Sequence, residues 1–380
     1  MSFLRLILVF SFFTLLGSSA LAQIERVWLT HRSHRPDKIV VNWTSKSPGR
    51  SLVRYGTSEK YGHEVSVEGN TTLHHVEIPI PKRDTTYHYS VGTGTQTSAN
   101  ATFKGYPSNV LRVGVVANWR GNPKLPGLIE DDVHLLLTAG DNIANLHQLC
   151  GPGNKQCMRP YAELIDRYAA LFRSTPFMPV LGNHDKEFRP RGPKPPAQPV
   201  YDIGATAFRR FFELPGDEWK WSFDIPDFGV RFVALDLNHS SDQGTTWQAC
   251  HAFDKSSAQF RWYANLVERH QPPLVVTLYN EQNVAMRSRE GGDWGRMLQR
   301  GTIAVSGFGY FAERAETNDL TYYNTSLNGK GIRYPDPHSK FLKSEHCYIL
   351  LTFSKNPLKM TVELKGLDGT VLDRREFAGQ

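Results

Sequence analysis

Three apolar runs of buried-strand length end in polar groups able to meet a cation or an anion: Ala117-Asn118-Trp119, Gly140-Asp141-Asn142 and Gly182-Asn183-His184-Asp185. Ligands gather at the carboxyl ends of strands in α/β sheets, so three such ends in series point to one site far more strongly than any one alone. The chemistry they suggest is metal-assisted hydrolysis. That reaction needs a carboxylate shared by two cations, further oxygen and imidazole ligands, and an open position for a hydroxide nucleophile.

The elements that must position these groups follow from periodicity. Leu111 to Ala117, Val133 to Ala139, Phe177 to Leu181, Val230 to Leu235, Leu274 to Leu278 and Thr302 to Ser306 read as buried strands. Helical patterns lie between several of them, as at Tyr161 to Phe172 and Ser257 to Arg269, which makes this part an α/β domain. Tyr348 to Phe353, Lys359 to Leu364 and Thr370 to Phe377 return to antiparallel strands, with Leu367-Asp368-Gly369 as a turn. Ahead of all this, Ile24 to Lys104 alternates with period two between polar turns, the pattern of a small antiparallel sandwich. On that reading Ile39, Val41 and Trp43 face its core while Asn42 points outward, and Gly105 to Asn109 is the linker.

Met1 to Ala22 has Arg5 in a short n-region, an apolar core from Leu6 to Leu16, and Ala20-Leu21-Ala22 as a small-x-small cleavage pattern. It reads as a signal peptide too short to span a bilayer, which implies a secreted or periplasmic protein that leaves the membrane after cleavage. The formal charge of +7 falls by one with Arg5 and is otherwise scattered, so it implies mild attraction for anions, not nucleic-acid binding. One basic, Pro-rich stretch, from Lys186 through Arg189, Arg191 and Lys194 to Pro199, follows the third strand end as an anion-attracting lid or a solvated loop. Of the four cysteines, Cys150 and Cys157 would close a small disulfide loop, leaving Cys250 and Cys347; no C-x-x-C spacing suggests a thiolate metal site. Five N-x-S/T sequons begin at Asn42, Asn70, Asn100, Asn238 and Asn324. His239, His251 and His346 lie away from the strand ends and read as surface or packing residues.

With these motifs in order, the chain resembles the purple acid phosphatases of the calcineurin-like metallophosphoesterase superfamily over nearly all its length. Val41-Asn42-Trp43-Thr44, Val53-Arg54-Tyr55-Gly56 and Thr86-Tyr87-His88-Tyr89 resemble that family's fibronectin-III-like domain. With the signal peptide over residues 1–22 set aside, the resemblance implies a fibronectin-III-like domain over 23–105. A metallophosphoesterase β-sandwich flanked by helices would then fill 110–380. It also implies a ligand set that this sequence keeps only in part. Asp141 resembles the bridging aspartate, Asn183 an amide ligand, and His184 the histidine that contacts substrate and leaving group. Asn118 stands where the family has an aspartate, and Ala144 where it has the tyrosine that gives the purple colour. The histidine of a V-x-x-H motif is replaced by Leu278 or Tyr279, and the pair of a G-H-x-H motif by Phe308 and Tyr310.

These replacements change the chemistry. An amide at Asn118 removes a negative charge, and the loss of imidazoles removes the donors that favour iron, zinc or manganese. Phe308 has no lone pair, and an aromatic ring fills a vacated pocket with apolar packing. The expected protein is therefore an exported pseudophosphatase that binds no metal and retains a pocket for a phosphoester or another small anion. Two alternatives stand beside it. One is a divergent acid phosphatase with a cation on Asp141, Asn183 and Asn118 and with His184 as general acid. The other is a binding or adhesion protein that uses its N-terminal sandwich.

Overall fold

The computed structural model describes residues 24–188, 202–238, 250–269, 272–317 and 320–379. The expected signal segment, the basic residues Arg189, Arg191 and Lys194, and His239 lie outside them. Among the described residues no helix is long and apolar enough to cross a membrane.

Six antiparallel strands, from Ile24–Thr30 to Ala101–Lys104, build the N-terminal part. The long strand Lys38–Gly56 pairs with Ile24–Thr30 through its first half and with Thr86–Thr93 through its second, while His63–Pro79 follows it along both. Trp43, Val53, Val76, Tyr89 and Val91 fill the space between the layers. The face expected to meet solvent does not. Asn42 is fully buried, donating to Trp28 O (3.2 Å) and Thr30 Oγ1 (3.0 Å). The reason is packing against later segments of the chain: Trp28 stacks on Phe211 at 4.3 Å, and Arg26 grips Asp166 through two bonds of 2.9 and 3.1 Å. Asn238 and Asn324 are buried as well, so of the five sequons only those at Asn70 and Asn100 are exposed.

Two sheets form the rest. One orders Val371–Ala378, Leu358–Gly366, Cys347–Lys355, Val110–Val116, Leu135–Thr138 and Phe177–Met178, with the last three parallel. The other runs Trp221–Ile225, Val230–Ala234, Leu274–Tyr279, Ile303–Ser306, Thr321–Asn324, Ala312–Glu316 and Ser339–Lys343, with a parallel centre. Their inner faces share one core, in which Phe232, Val276, Leu278 and Val305 meet Ile349, Leu351 and Phe353. The opposite face of the second sheet carries Val233, Val275, Tyr279 and Ala304 against the helices Ala258–Glu268 and Asp293–Leu298. Alternation along Leu274–Tyr279 is strict, so residues 274, 276 and 278 face inward and 275 and 279 outward. This is an α/β sandwich flanked by helices behind an all-β N-terminal unit, the architecture the sequence implies.

Cys150 and Cys157 form a disulfide. Cys250 and Cys347 are free: Cys347 is buried beside Thr325 and Ser326, and Cys250 lies 3.9 Å from Arg289 Nη2.

Candidate functional site

Asn118, Asp141 and the segment from Gly182 to Lys186 converge at the carboxyl ends of neighbouring strands. Asn118 and Asp141 both adopt left-handed backbone angles, φ 53° and 55°, which turn the chain sharply off each strand. The two turns are tied together, Asn118 N–H donating to Gly140 O (3.2 Å) and Trp119 N–H to Asp141 O (2.8 Å). Gly182 sits so close that a Cβ there would lie 2.2 Å from Asp141 N, and His184 N–H donates to Asp141 Oδ1 at 3.2 Å. Gly307 closes the ring of strand ends, where a Cβ would come within 2.2 Å of Ala139 O.

The side chains that face this point are mostly amides. Asn118 donates to Gly307 O at 2.5 Å. Asn280 donates to Ala139 O and to Gly307 O, each at 3.2 Å. Asn280 was not among the positions suspected from the sequence. It continues the inward parity of Val276 and Leu278, whereas Tyr279 turns outward and donates its hydroxyl to Asn283 Oδ1 at 2.8 Å. Asn183 is buried, Ala144 offers its backbone carbonyl to His184, and Phe308 and Tyr310 line the rim.

The cation at this place is Arg120. Trp119 is buried against Tyr168, Phe172 and Phe177, which anchors the turn and directs the next residue over the cleft. The Arg120 guanidinium lies 3.9 Å from Asp141 Oδ2, bonds His184 Nε2 and sits over the Tyr310 ring at 5.1 Å. His184 Nδ1 faces Ala144 O, while Nε2 meets Arg120 and lies 3.8 Å from Asp141 Oδ2.

Two buried carboxyl groups support the site. Burial and the Asp141 charge push the Asp185 carboxyl up to about 8, against hydrogen bonds from Gly182 N (2.8 Å) and from the Asn142 backbone and side chain. A carboxyl raised in the fold from its ordinary value of 3.8 contributes stability that is complete below that value and lost as pH rises through about 8. Asp185→Asn keeps an acceptor for these donors and removes the ionisation. Its stability relative to the parent should rise between pH 4 and pH 9 by roughly 2–5 kcal/mol in chemical denaturation; an equal difference at both pH values would contradict this. Lys186, grouped above with an anion-attracting lid, is instead fully buried and donates to Asp236 Oδ1 (2.7 Å) and Asn238 Oδ1 (3.0 Å). Its place in the core follows from the sharp turn after Gly182, which rotates residues 185 and 186 inward. Asp236 also accepts His251 Nδ1 at 2.6 Å, and His251 stacks on Trp219, so this histidine is a packing residue. His346 bonds Leu327 O at 2.9 Å.

A dinuclear metal centre does not fit these residues. Among the described residues no group of three or more His, Cys, Asp or Glu side chains converges as a cation requires. The carboxylate at the cleft, Asp141, has a guanidinium beside it. The amides of Asn118 and Asn280 present N–H groups to carbonyls, leaving Asn280 Oδ1 buried without a partner among the described residues. One carboxylate and the amide oxygens of Asn118, Asn183 and Asn280 fall short of the roughly six oxygen ligands that magnesium or calcium takes. The imidazole that could favour zinc or iron, His184, has both ring nitrogens engaged, by Ala144 O and by Arg120.

The model of the calcineurin-like phosphoesterase family matches residues 119–320. No curated protein sequence matches the chain. Among solved structures, the chain is similar to a purple acid phosphatase, PPD1, from yellow lupin (Lupinus luteus) seeds, at 17% identity and a TM-score of 0.68. That match covers 94% of this chain and 74% of the lupin protein. It is also similar to PhoD, at 11% identity and a TM-score of 0.67, with 93% and 90% of the two chains covered. At these identities the likeness is one of fold.

Proposed function

Because this chain belongs to the calcineurin-like phosphoesterase family, whose model spans more than half of it, we propose that it is a pseudophosphatase, a phosphoesterase fold that binds a small oxyanion without hydrolysing it. The observation that carries this reading is Arg120, a built-in cation next to Asp141 where the family's chemistry calls for metal ions. It supplies positive charge but lowers no water pKa, so it can attract an anion and cannot generate hydroxide. The same arginine contacts His184 Nε2, the group that a divergent phosphatase would use as its general acid. We also propose that the chain is exported by residues 1–22, a reading supported by the Cys150–Cys157 disulfide, and that its domains divide at 23–105 and 110–380.

The test is turnover of 4-nitrophenyl phosphate by the mature protein with iron, zinc, manganese or magnesium added. The expected rate is that of buffer containing the same metal, unchanged by His184→Ala. A rate that is metal-dependent and abolished by His184→Ala would replace this reading with an active acid phosphatase.

A further inference from the structure

We propose that the mouth of this cleft is a metal-free site for an organic phosphate or sulfate monoester, with Arg120 and Arg333 holding the oxyanion and Tyr334 stacking on the ring it carries. The proposal rests on the pseudophosphatase reading and adds the ligand class and the residues that would select it.

Both guanidinium groups lie over one ring: Arg120 is 5.1 Å and Arg333 5.7 Å from the centroid of Tyr310. A guanidinium presents a planar fork of donors that matches a tetrahedral oxyanion, and stacking on an aromatic face fixes its orientation. Arg120 spends one donor on His184, while its Nε is buried with no partner among the described residues. The charge count also favours an anion. Asp141, almost wholly buried beneath Arg120, offsets that arginine, and exposed Arg333 leaves the mouth positive.

The aromatic half of the site is equally built. Tyr334 is 49% exposed, its ring centroid is 6.0 Å from that of Phe308, and Ile332 beside it is also exposed. Its backbone stands at φ 61°, a left-handed conformation that costs a non-glycine residue on the order of 1 kcal/mol and that concentrates at functional sites. The surrounding structure enforces it: Asp336, two residues on, is buried, paired bidentately with Arg287, and donates its N–H to Glu313 Oε1 at 2.7 Å. A large ring is thus kept on the surface, on an anchored loop, beside Arg333. Stacking on such a shelf would add affinity for the ester's ring and none for the bare anion.

The experiment is calorimetric titration of the full-length mature protein, with EDTA present, using 4-nitrophenyl phosphate, 4-nitrophenyl sulfate and inorganic phosphate. Binding of an aryl ester is expected without release of 4-nitrophenolate. Arg333→Ala and Arg120→Lys should each weaken it about tenfold, the loss of one charge-assisted bond pair. Tyr334→Ala should weaken both aryl esters several-fold and leave inorganic phosphate within about twofold. Arg333 and Tyr334 are exposed, so those variants retain the fold. Tighter phosphate ester would identify phosphoesters as the source and tighter sulfate ester sulfate esters; either supports the site. No binding at millimolar ester, or binding indifferent to Arg333→Ala and Tyr334→Ala, overturns the proposal. Metal-dependent release of 4-nitrophenolate in a parallel assay without EDTA would overturn the pseudophosphatase reading alone.

Discussion

Asp236→Ala should destabilise the protein by about 3–5 kcal/mol, because it leaves Lys186 charged and buried without its closest partner. The pair is wholly inside: neither residue has measurable exposure. Breaking such a pair costs more than the pair contributes, since the surviving ion keeps its desolvation penalty. Lys186 immediately follows the Gly182–Asp185 turn, so the loss also loosens the segment that carries His184. A pH dependence accompanies the effect. Against a burial that alone would raise it, Lys186 and His251 hold the Asp236 carboxyl down to about 2, below its ordinary 3.8. A carboxyl depressed in the fold contributes stability present above the unfolded value and lost as pH falls through the folded one. The parent's advantage over Asp236→Ala should therefore be full at pH 5 and shrink between about pH 4 and pH 2. Urea unfolding at pH 7 and pH 3 measures both; a loss below about 1 kcal/mol at pH 7 would place the charge pair outside the energetics of the fold.

Gly307→Ala carries the second large effect. The added Cβ would sit 2.2 Å from Ala139 O and 2.4 Å from Ala117 Cβ, contacts that only backbone movement relieves. Those two residues end the strands that carry Asn118 and Asp141, and Gly307 O is the shared acceptor of the Asn118 and Asn280 amides. Overpacking of this kind typically costs 1–3 kcal/mol, and a clash with the Ala139 backbone on one side and the Ala117 Cβ on the other sets about 3 kcal/mol as the expected loss. Oxyanion binding should fall with it, because the turns that aim Arg120 separate. A Gly307→Ala variant with parental melting temperature would show that the strand ends are not locked together as described.

The architecture was legible because it depends on patterns that leave marks in sequence. Apolar runs with polar ends located the strands that carry Asn118, Asp141 and Asn183, and Ser257 caps the helix Ala258–Glu268 with its side chain on Phe260 N. What escaped was set by packing between distant segments. Asn42 read as solvent-facing from local alternation, but the face it occupies is covered by residues more than a hundred positions away, including Phe211. Lys186 looked like part of a basic loop, and Asp236 and Asn238, in the segment after the strand Val230–Ala234, explain its burial. Asn280 had a signal that could have been followed: one more step of period two along Leu274–Tyr279 reaches it, whereas the motif spacing stops at 278 or 279. Arg120 had none. An arginine after an Asn-Trp turn is unremarkable until Asp141, His184 and Tyr310 are seen around it.

The replacement of metal ions by Arg120 and amides is the central claim, and metal stoichiometry tests it most directly. The mature protein would be incubated with iron, zinc, manganese and magnesium, freed of unbound ions, and its metal counted per chain beside Asp141→Ala. The account predicts occupancy far below one ion per chain for both proteins. Two ions per chain, lost in Asp141→Ala, would contradict it and restore a metallohydrolase.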